Sequence, residues 1–419
     1  MLSKASLIMV MGFGAIIGYV GLNMARNAGT ANDGSSIYAE KATLQNLAFT
    51  GANIGLANLY QDSLWRGPVT QQVNVNGIAG SFTVLAEKGA SGALVRSISS
   101  LRSIAGPMRH DTVEISFTEF EENSFSLYAW MSNNEGKVYW FTGDTVRGAL
   151  HSNSSLNVSG YPVFMEKVTT AGDIKGDKTN AQFKKGYKTG ASRITFPSDL
   201  SRLVTAANTG GRYYTQAVEV TLQPGSSAAG DGRAIVRSLS GTAIHDTIRV
   251  SASGFNGVIG SSQKVNVKGT LDGKLTVFSQ QDIWIQDDVI YASGSNYSTG
   301  NDLLGLVAER NVIIANNQAN AQLVKVQASI FCRSGSFYAE NYQNRPKGVL
   351  HVQGSIVQND RGAVGTFSGS SHLSGFLKRY TYDQRLANNQ VRPPFYPGFF
   401  DLRRRIAGWW IGGGGVEAG

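Results

Sequence analysis

The stretch LTVFSQQDIWIQDDV (Leu275–Val289) is followed by three related stretches. They are LVAERNVIIANN (Leu306–Asn317), VKVQASIFCRSGSF (Val324–Phe337) and LHVQGSIVQNDRGA (Leu350–Ala363). Each combines an alternating apolar strand, a small polar corner and a second short strand. Stacked coils of this kind hide their apolar residues between neighbours. The repeat predicts a β-solenoid-like region, and an ordinary β-sandwich with similar strands is the alternative.

The corners of this repeat are placed at Asp282-Ile283, Asn311-Val312, Ser329-Ile330 and Ser355-Ile356. Their spacing is too uneven for a strict repeat, but it suits solenoid coils with inserted loops. Asp, Asn and Ser are common turn residues in either fold. The three nearby aspartates Asp282, Asp287 and Asp288 could gather around Ca²⁺ or a sugar, but we interpret them as solvated turn residues.

The composition favours an ordered, β-rich chain. Of 419 residues only 16% are charged, against about 25% in typical globular domains, and 50 are glycine. Disorder needs low hydrophobicity and high charge, so it is excluded. The single cysteine, Cys332, excludes a disulfide scaffold and a cysteine zinc cluster.

The N-terminus carries a different signal. Residues 5–25 contain no charge and are long enough to cross a bilayer as one helix. Residues 33–62 show apolar residues at helical spacing, which predicts an amphipathic continuation. The fold class expected is therefore α+β: a long hydrophobic N-terminal helix over residues 1–62, followed by a large, mainly β head that is partly β-solenoid-like.

The head divides into four predicted regions. Residues 69–141 read as a β-sheet region, and residues 142–246 as a β-rich region with a polar insertion. Residues 247–375 contain the solenoid-like repeat, and residues 376–419 form a basic, aromatic C-terminal tail.

This layout of a long helix followed by a β-rich head resembles type IV pilins and pseudopilins, with 69–141 as the pilin-like sheet. The stretch Phe141–Phe164 (FTGDTVRGALHSNSSLNVSGYPVF) resembles a motif of uncharacterised bacterial surface proteins. The resemblance implies a structural subunit of an extracellular filament on the bacterial cell surface, anchored in the inner membrane before assembly. Its partners would be further copies in a helical homopolymer, the inner membrane and the pilus assembly machinery.

The resemblance also implies which residues pack in the filament core. They are Leu7, Ile8, Val10, Met11, Phe13, Gly14, Ile16, Ile17, Gly18, Val20 and Leu22. Two alternatives stay open. The first is a minor pilin or pseudopilin of a pilus or type II secretion machine, because the glutamate that most pilins carry at position five is Ala5 here. The second is a membrane-anchored β-solenoid carbohydrate-binding protein or enzyme.

The C-terminal tail combines arginines with aromatic residues, a composition that interfaces prefer. The candidate subunit contact comprises Arg403, Arg404, Arg405, Trp409 and Trp410. No nucleic acid is expected as a partner, because no recognised nucleic-acid-binding fold accompanies these residues.

The sequence carries no catalytic signature. Its five histidines lack the spacing of metal ligands, and no nucleophile elbow or phosphate-binding loop is present. We therefore predict no catalytic, cofactor-binding or metal-binding residue, no cofactor and no enzymatic activity.

Overall fold

The computed structural model describes residues 4–61, 65–75, 78–89, 92–102, 108–117, 122–225, 230–241, 244–294, 300–368, 371–400 and 406–412. Of residues 4–15, 28–36, 113–117 and 406–412, among others, only the backbone is described. The chain forms two compact units, a small one (Met1–Glu121 with Phe400–Gly419) and a large one (Glu122–Phe399). With 48% of its residues in strands, the chain is β-rich as predicted.

The helices are α1 (Lys4–Gln61) and α2 (Ser201–Thr209), with 3-10 turns at Phe125–Leu127 and Gln384–Ala387. The strands are β1 (Val69–Val75), β2 (Ile78–Gly89), β3 (Gly92–Arg102), β4 (Met108–Phe117), β5 (Glu122–Ser124), β6 (Trp130–Asn134), β7 (Tyr139–Phe141), β8 (Thr145–Val146), β9 (Leu150–Ser152), β10 (Leu156–Ser159), β11 (Val163–Phe164), β12 (Val168–Thr170), β13 (Ile174–Gly176), β14 (Gln182–Phe183), β15 (Tyr187–Lys188), β16 (Arg212–Tyr214), β17 (Val218–Gln223), β18 (Arg233–Ser238), β19 (Ile244–Arg249), β20 (Val258–Ser261), β21 (Val265–Leu271), β22 (Lys274–Ser279), β23 (Ile283–Tyr291), β24 (Leu303–Ala308), β25 (Val312–Ile314), β26 (Leu323–Cys332), β27 (Phe337–Ala339), β28 (Pro346–Asp360), β29 (Gly365–Ser368), β30 (Ser371–Thr381), β31 (Gly398–Phe400) and β32 (Ile406–Gly412).

The small unit packs the C-terminal part of α1 on an antiparallel sheet of order β1-β2-β3-β4-β32. Alternate sheet residues such as Val84 and Val95 are buried and contact Ala48, Ala52 and Leu59 of the helix. Strand β32 pairs with β4, so the end of the C-terminal tail completes this sheet.

The predicted hydrophobic N-terminal helix is wrong in its apolar character. None of the helices within the described residues combines the length and the hydropathy that a bilayer crossing requires. The polar run NAGTANDGSS (Asn27–Ser36) follows residues 5–25.

The close approach of helix and sheet in the small unit depends on Gly55. A methyl group there would lie 2.7 Å from Val84 Cγ2 and 2.9 Å from Val95 Cγ1. Both valines are fully buried, so they cannot move aside. We expect Gly55→Ala to destabilise the small unit by about 1–2 kcal/mol, although alanine favours helix formation.

The matched control for this prediction is Gly18→Ala, because a methyl group at Gly18 meets no atom within 4 Å. Hydrogen exchange of peptides covering residues 44–59 and 82–101 measures both variants. Exchange should accelerate in Gly55→Ala only, and equal protection in the two variants would contradict this helix–sheet packing.

The large unit is built mainly on parallel pairing, arranged in three sets of aligned strands. The longest set runs β16-β20-β22-β24-β26-β28-β6-β9-β12-β15. A second set contains β17-β21-β23-β25-β27, and β7-β10-β13 form a separate three-stranded sheet. A third contains β26-β28-β30 and, separately, β8-β11-β14.

The chain therefore does not build this unit from one end to the other. Trp130 of β6 pairs with Ile356 of β28, so four strands of residues 130–188 (β6, β9, β12 and β15) continue the longest strand set, which residues 212–360 begin. We call the boundary between these two chain segments the seam. Strands β28 and β30 lie on one side of the seam, and β6, β7 and β8 lie on the other.

The predicted corners belong to two different strand sets, and this explains their uneven spacing. Ile283 pairs with Val312, which in turn pairs with Phe337. Ser329 instead pairs with Ser355 in the other set. The second and third predicted corners therefore lie in different strand sets, and this makes the interval between them short. The sequence alone does not separate the two sets, because both contain a small polar residue followed by isoleucine or valine.

Candidate functional site

A pocket of about 370 Å³ opens at the seam, entirely within the large unit. At this point the third strand set is interrupted: β30 pairs with β28, whereas β8 belongs to a separate three-stranded sheet with β11 and β14. The lining residues come from both sides of the seam: Ala129, Trp130, Trp140, Gly143, Asp144, Thr145, Val146, Arg147, His351, Val352, Gly354, Ile356, Lys378, Arg379, Tyr380, Thr381 and Tyr382.

An ion pair crosses the seam where backbone pairing stops. Lys378 Nζ lies 2.8 Å from Asp144 Oδ2, with side-chain exposures of 14% and 7%. Lys378 aligns with Leu350, a core residue, so its side chain points into the interior. Burial is the main cause that lowers the pKa of Lys378, opposed by the charge of Asp144. The pair links strand β30 to the turn before β8.

A second ion pair lies deeper and is fully buried. Arg361 Nη1 donates to Glu135 Oε2 at 2.6 Å, and the two side chains are 2% and 0% exposed. Glu135 also accepts from Trp130 Nε1 at 3.1 Å and from Trp140 Nε1 at 3.2 Å. The hydroxyl of Ser132 donates to Glu135 as well. The carboxylate is thus surrounded by donors, as a buried charge requires.

Aromatic rings form the wall between the two ion pairs. Trp130 stacks on Tyr380 with ring centroids 5.9 Å apart, and it meets Trp140 edge-on at 5.0 Å. The guanidinium of Arg361 lies 3.9 Å from the centroid of Trp140. Burial raises the pKa of the Tyr380 hydroxyl well above its usual range, so this group stays a neutral donor. The pocket therefore offers apolar rings and fixed polar groups together.

The outer rim of the pocket is basic. Lys325, His351 and Arg379 occupy aligned positions on three neighbouring strands, β26, β28 and β30. The pKa of His351 is lowered from its usual 6.5, first by burial and then by the charges of Arg379 and Lys325. Arg147, from the other side of the seam, also lines the pocket.

The sequence-predicted residues lie elsewhere. Ile16, Ile17, Val20 and Leu22 are 47–69% exposed on α1, and the side chains of residues 7–14 in the predicted core set lie outside the described part. Arg403, Arg404 and Arg405 also fall outside the described residues. Trp409 and Trp410 belong to β32, paired with Ile115 and Glu114. Their roles in assembly stay predictions.

The three aspartates of the repeat do not share a site. Asp282 accepts from the Asn311 backbone N–H and side-chain amide at 3.1 and 3.0 Å, and from Arg310. Asp288 accepts from the Lys325 backbone N–H at 2.7 Å. Within the described residues, no group of three or more His, Cys, Asp and Glu side chains is arranged to hold a metal ion.

Sequence reasoning missed the seam residues Trp130, Glu135, Trp140 and Arg361. One signal was available: Glu135 stands midway between the two tryptophans, at an Asn-Asn-Glu-Gly turn. Nothing local relates that turn to Arg361, because the two are 226 residues apart. Lys378 and Tyr380 fall within residues 376–419, the predicted basic and aromatic tail, but they belong to strand β30.

No known protein family, curated protein or solved structure matches the chain. The resemblance to type IV pilins and to bacterial surface proteins is therefore wrong: no family match supports it, and no described helix has the apolar character it requires. The chemistry of the seam pocket has to be read from its own residues.

Proposed function

We propose that this chain is a β-solenoid protein that binds carbohydrate in the seam pocket. The parallel alignment of strands over many successive coils supports the solenoid. The observation that carries the proposed function is the lining of the pocket, where aromatic rings stand beside a few fixed polar groups. This combination suits a sugar, which presents apolar C–H faces and a ring of hydroxyl groups.

The polar groups are suited to hydroxyl recognition. Asp144 already accepts from Lys378 and, at 3.1 Å, from the Phe141 backbone N–H, so its position is fixed before a ligand arrives. A carboxylate has about four acceptor sites and can accept further hydrogen bonds from hydroxyl groups. Preorganised groups of this kind lower the ordering cost of binding.

We infer binding without turnover. Asp144 and Lys378 neutralise each other, which leaves neither as a ready general base or acid. Assembly into a filament, the bacterial cell-surface location and the membrane anchor stay predictions, and no feature of the seam bears on them.

A glycan array followed by calorimetry tests the proposed function. The full-length chain should bind at least one class of oligosaccharide, and Tyr380→Leu should weaken that binding about tenfold by removing a pocket ring. The matched control is Tyr338→Leu on β27, a half-buried tyrosine outside the pocket lining.

Circular dichroism checks that both tyrosine variants remain folded. A second variant, Arg147→Ser, changes only an exposed lining residue and should also weaken binding. No binding to any glycan, or binding that neither Tyr380→Leu nor Arg147→Ser changes, would overturn the proposal.

A further inference from the structure

The charge of the seam pocket divides into a neutral interior and a basic rim. Asp144 in the lining pairs with Lys378, and Glu135 behind the lining pairs with Arg361, so these buried charges balance. Arg147 and Arg379 line the mouth together with His351, and the two guanidinium groups have no equal number of acidic partners in the lining. Asp144 is the sole acidic residue among the described residues of that lining, and it is already paired with Lys378.

We propose that the ligand of the seam pocket is an acidic glycan, a sugar chain that carries carboxylates, rather than a neutral one. This inference rests on the proposed carbohydrate-binding function and names the class of sugar. Its interior ring would meet the aromatic wall and Asp144, while a carboxylate would face Arg379 and Arg147. Arginine suits this role because its planar fork binds carboxylates in a bidentate manner.

The three aligned residues of the basic rim form a stripe, and this stripe would set the direction of the bound glycan chain. Lys325, His351 and Arg379 stand on adjacent parallel strands, which are about 4.8 Å apart. A glycan that leaves the pocket along this stripe would place successive carboxylates beside successive basic residues. The stripe ends near Asp288, which accepts from the Lys325 backbone N–H. The bound length is therefore limited to a few sugar residues.

A nucleic acid is the competing polyanion, and single-stranded DNA is therefore one of the ligands in the binding test.

The rim histidine predicts how binding depends on pH. His351 is neutral at pH 7, because burial and its basic neighbours lower its pKa. The groups around it are Arg379, Lys325 and Thr381, whose hydroxyl lies 3.1 Å from His351 Nε2, with Arg147 and Asp144 across the seam. Glycan carboxylates stay ionised to about pH 4, as Asp and Glu do. Affinity should therefore rise as the pH falls from 7 towards the lowered pKa of His351, and His351→Gln should abolish that rise.

Calorimetry with a matched pair of ligands tests the charge inference. The probes are a short oligouronate and the same oligosaccharide with its carboxyl groups reduced to alcohols. We expect the oligouronate to bind at least tenfold more tightly, and Arg379→Ser to lower its affinity about tenfold. Arg237→Ser on β18, another exposed arginine, should leave the affinity unchanged.

The outcomes separate this inference from the proposed function. Equal binding of the two oligosaccharides would overturn the acidic-glycan inference and leave carbohydrate binding intact. Failure of both, with no other glycan bound, would overturn the two proposals together. Single-stranded DNA that binds as tightly as the oligouronate, with the same loss in Arg379→Ser, would show a general polyanion surface and contradict the acidic-glycan assignment.

Discussion

Replacing Glu135 by glutamine should lower the free energy of unfolding of the large unit by about 3–5 kcal/mol. The substitution leaves Arg361 as a buried charge without a counter-charge, since its side chain is 2% exposed. Glutamine preserves the shape of the side chain and one acceptor oxygen, but its NH2 group replaces the second acceptor and faces the donors that this oxygen served. The loss therefore reports the missing charge and acceptor rather than a cavity.

The matched control is Glu166→Gln, which removes the same charge from an exposed ion pair. Lys185 Nζ lies 2.8 Å from Glu166 Oε1, with side-chain exposures of 64% and 38%. Exposed pairs contribute about 0–1 kcal/mol, so this variant should unfold almost like the wild type. Denaturant unfolding, followed by hydrogen exchange of peptides from Glu122–Phe399, compares the two.

A double variant sharpens this prediction. Adding Arg361→Met to Glu135→Gln removes the unpaired charge and should restore part of the lost stability, because an apolar side chain can replace a buried ion. If Glu135→Gln were no less stable than Glu166→Gln, or if the double variant lost still more stability, the buried pair would not hold the seam as described.

The second large effect is expected from Gly348→Ala, at about 3 kcal/mol of stability, the upper end of typical overpacking costs. A methyl group at Gly348 would overlap the backbone carbonyl of Gln322 in the loop before β26. That carbonyl accepts from the Val349 backbone N–H at 2.7 Å. Alanine must therefore separate β28 from β26 or break this contact.

Gly241→Ala provides the control for Gly348→Ala, because a methyl group at Gly241 meets no atom within 4 Å. Thermal unfolding and hydrogen exchange over residues 323–353 measure both variants. Near-equal stability of the two variants would mean that β26 and β28 do not pair in the observed register.

The β-rich body could be predicted from the sequence because alternation is a local signal. Stretches such as Val218–Gln223 bury alternate residues, and that pattern is visible without knowledge of partners. The short strands between positions 139 and 188 have only two to four residues each, too few to show a period of two. Their place after β28 depends on pairing with a part of the chain that is far away in the sequence.

The residues of the seam could not be predicted from the sequence, because they lie far apart in the chain. At the seam, Glu135 and Arg361 meet only because the second chain segment returns to the start of the first. A pattern within a few residues of Glu135 cannot indicate a partner 226 positions away.

The most direct test of the seam pocket as a ligand site is hydrogen exchange of the full chain with and without a saturating oligouronate. The seam pocket predicts protection in residues 143–147, 351–354 and 378–381, and none in α2 or the β17–β19 strands. Protection confined to other segments, with binding confirmed by calorimetry, would contradict the assignment of the seam as the ligand site.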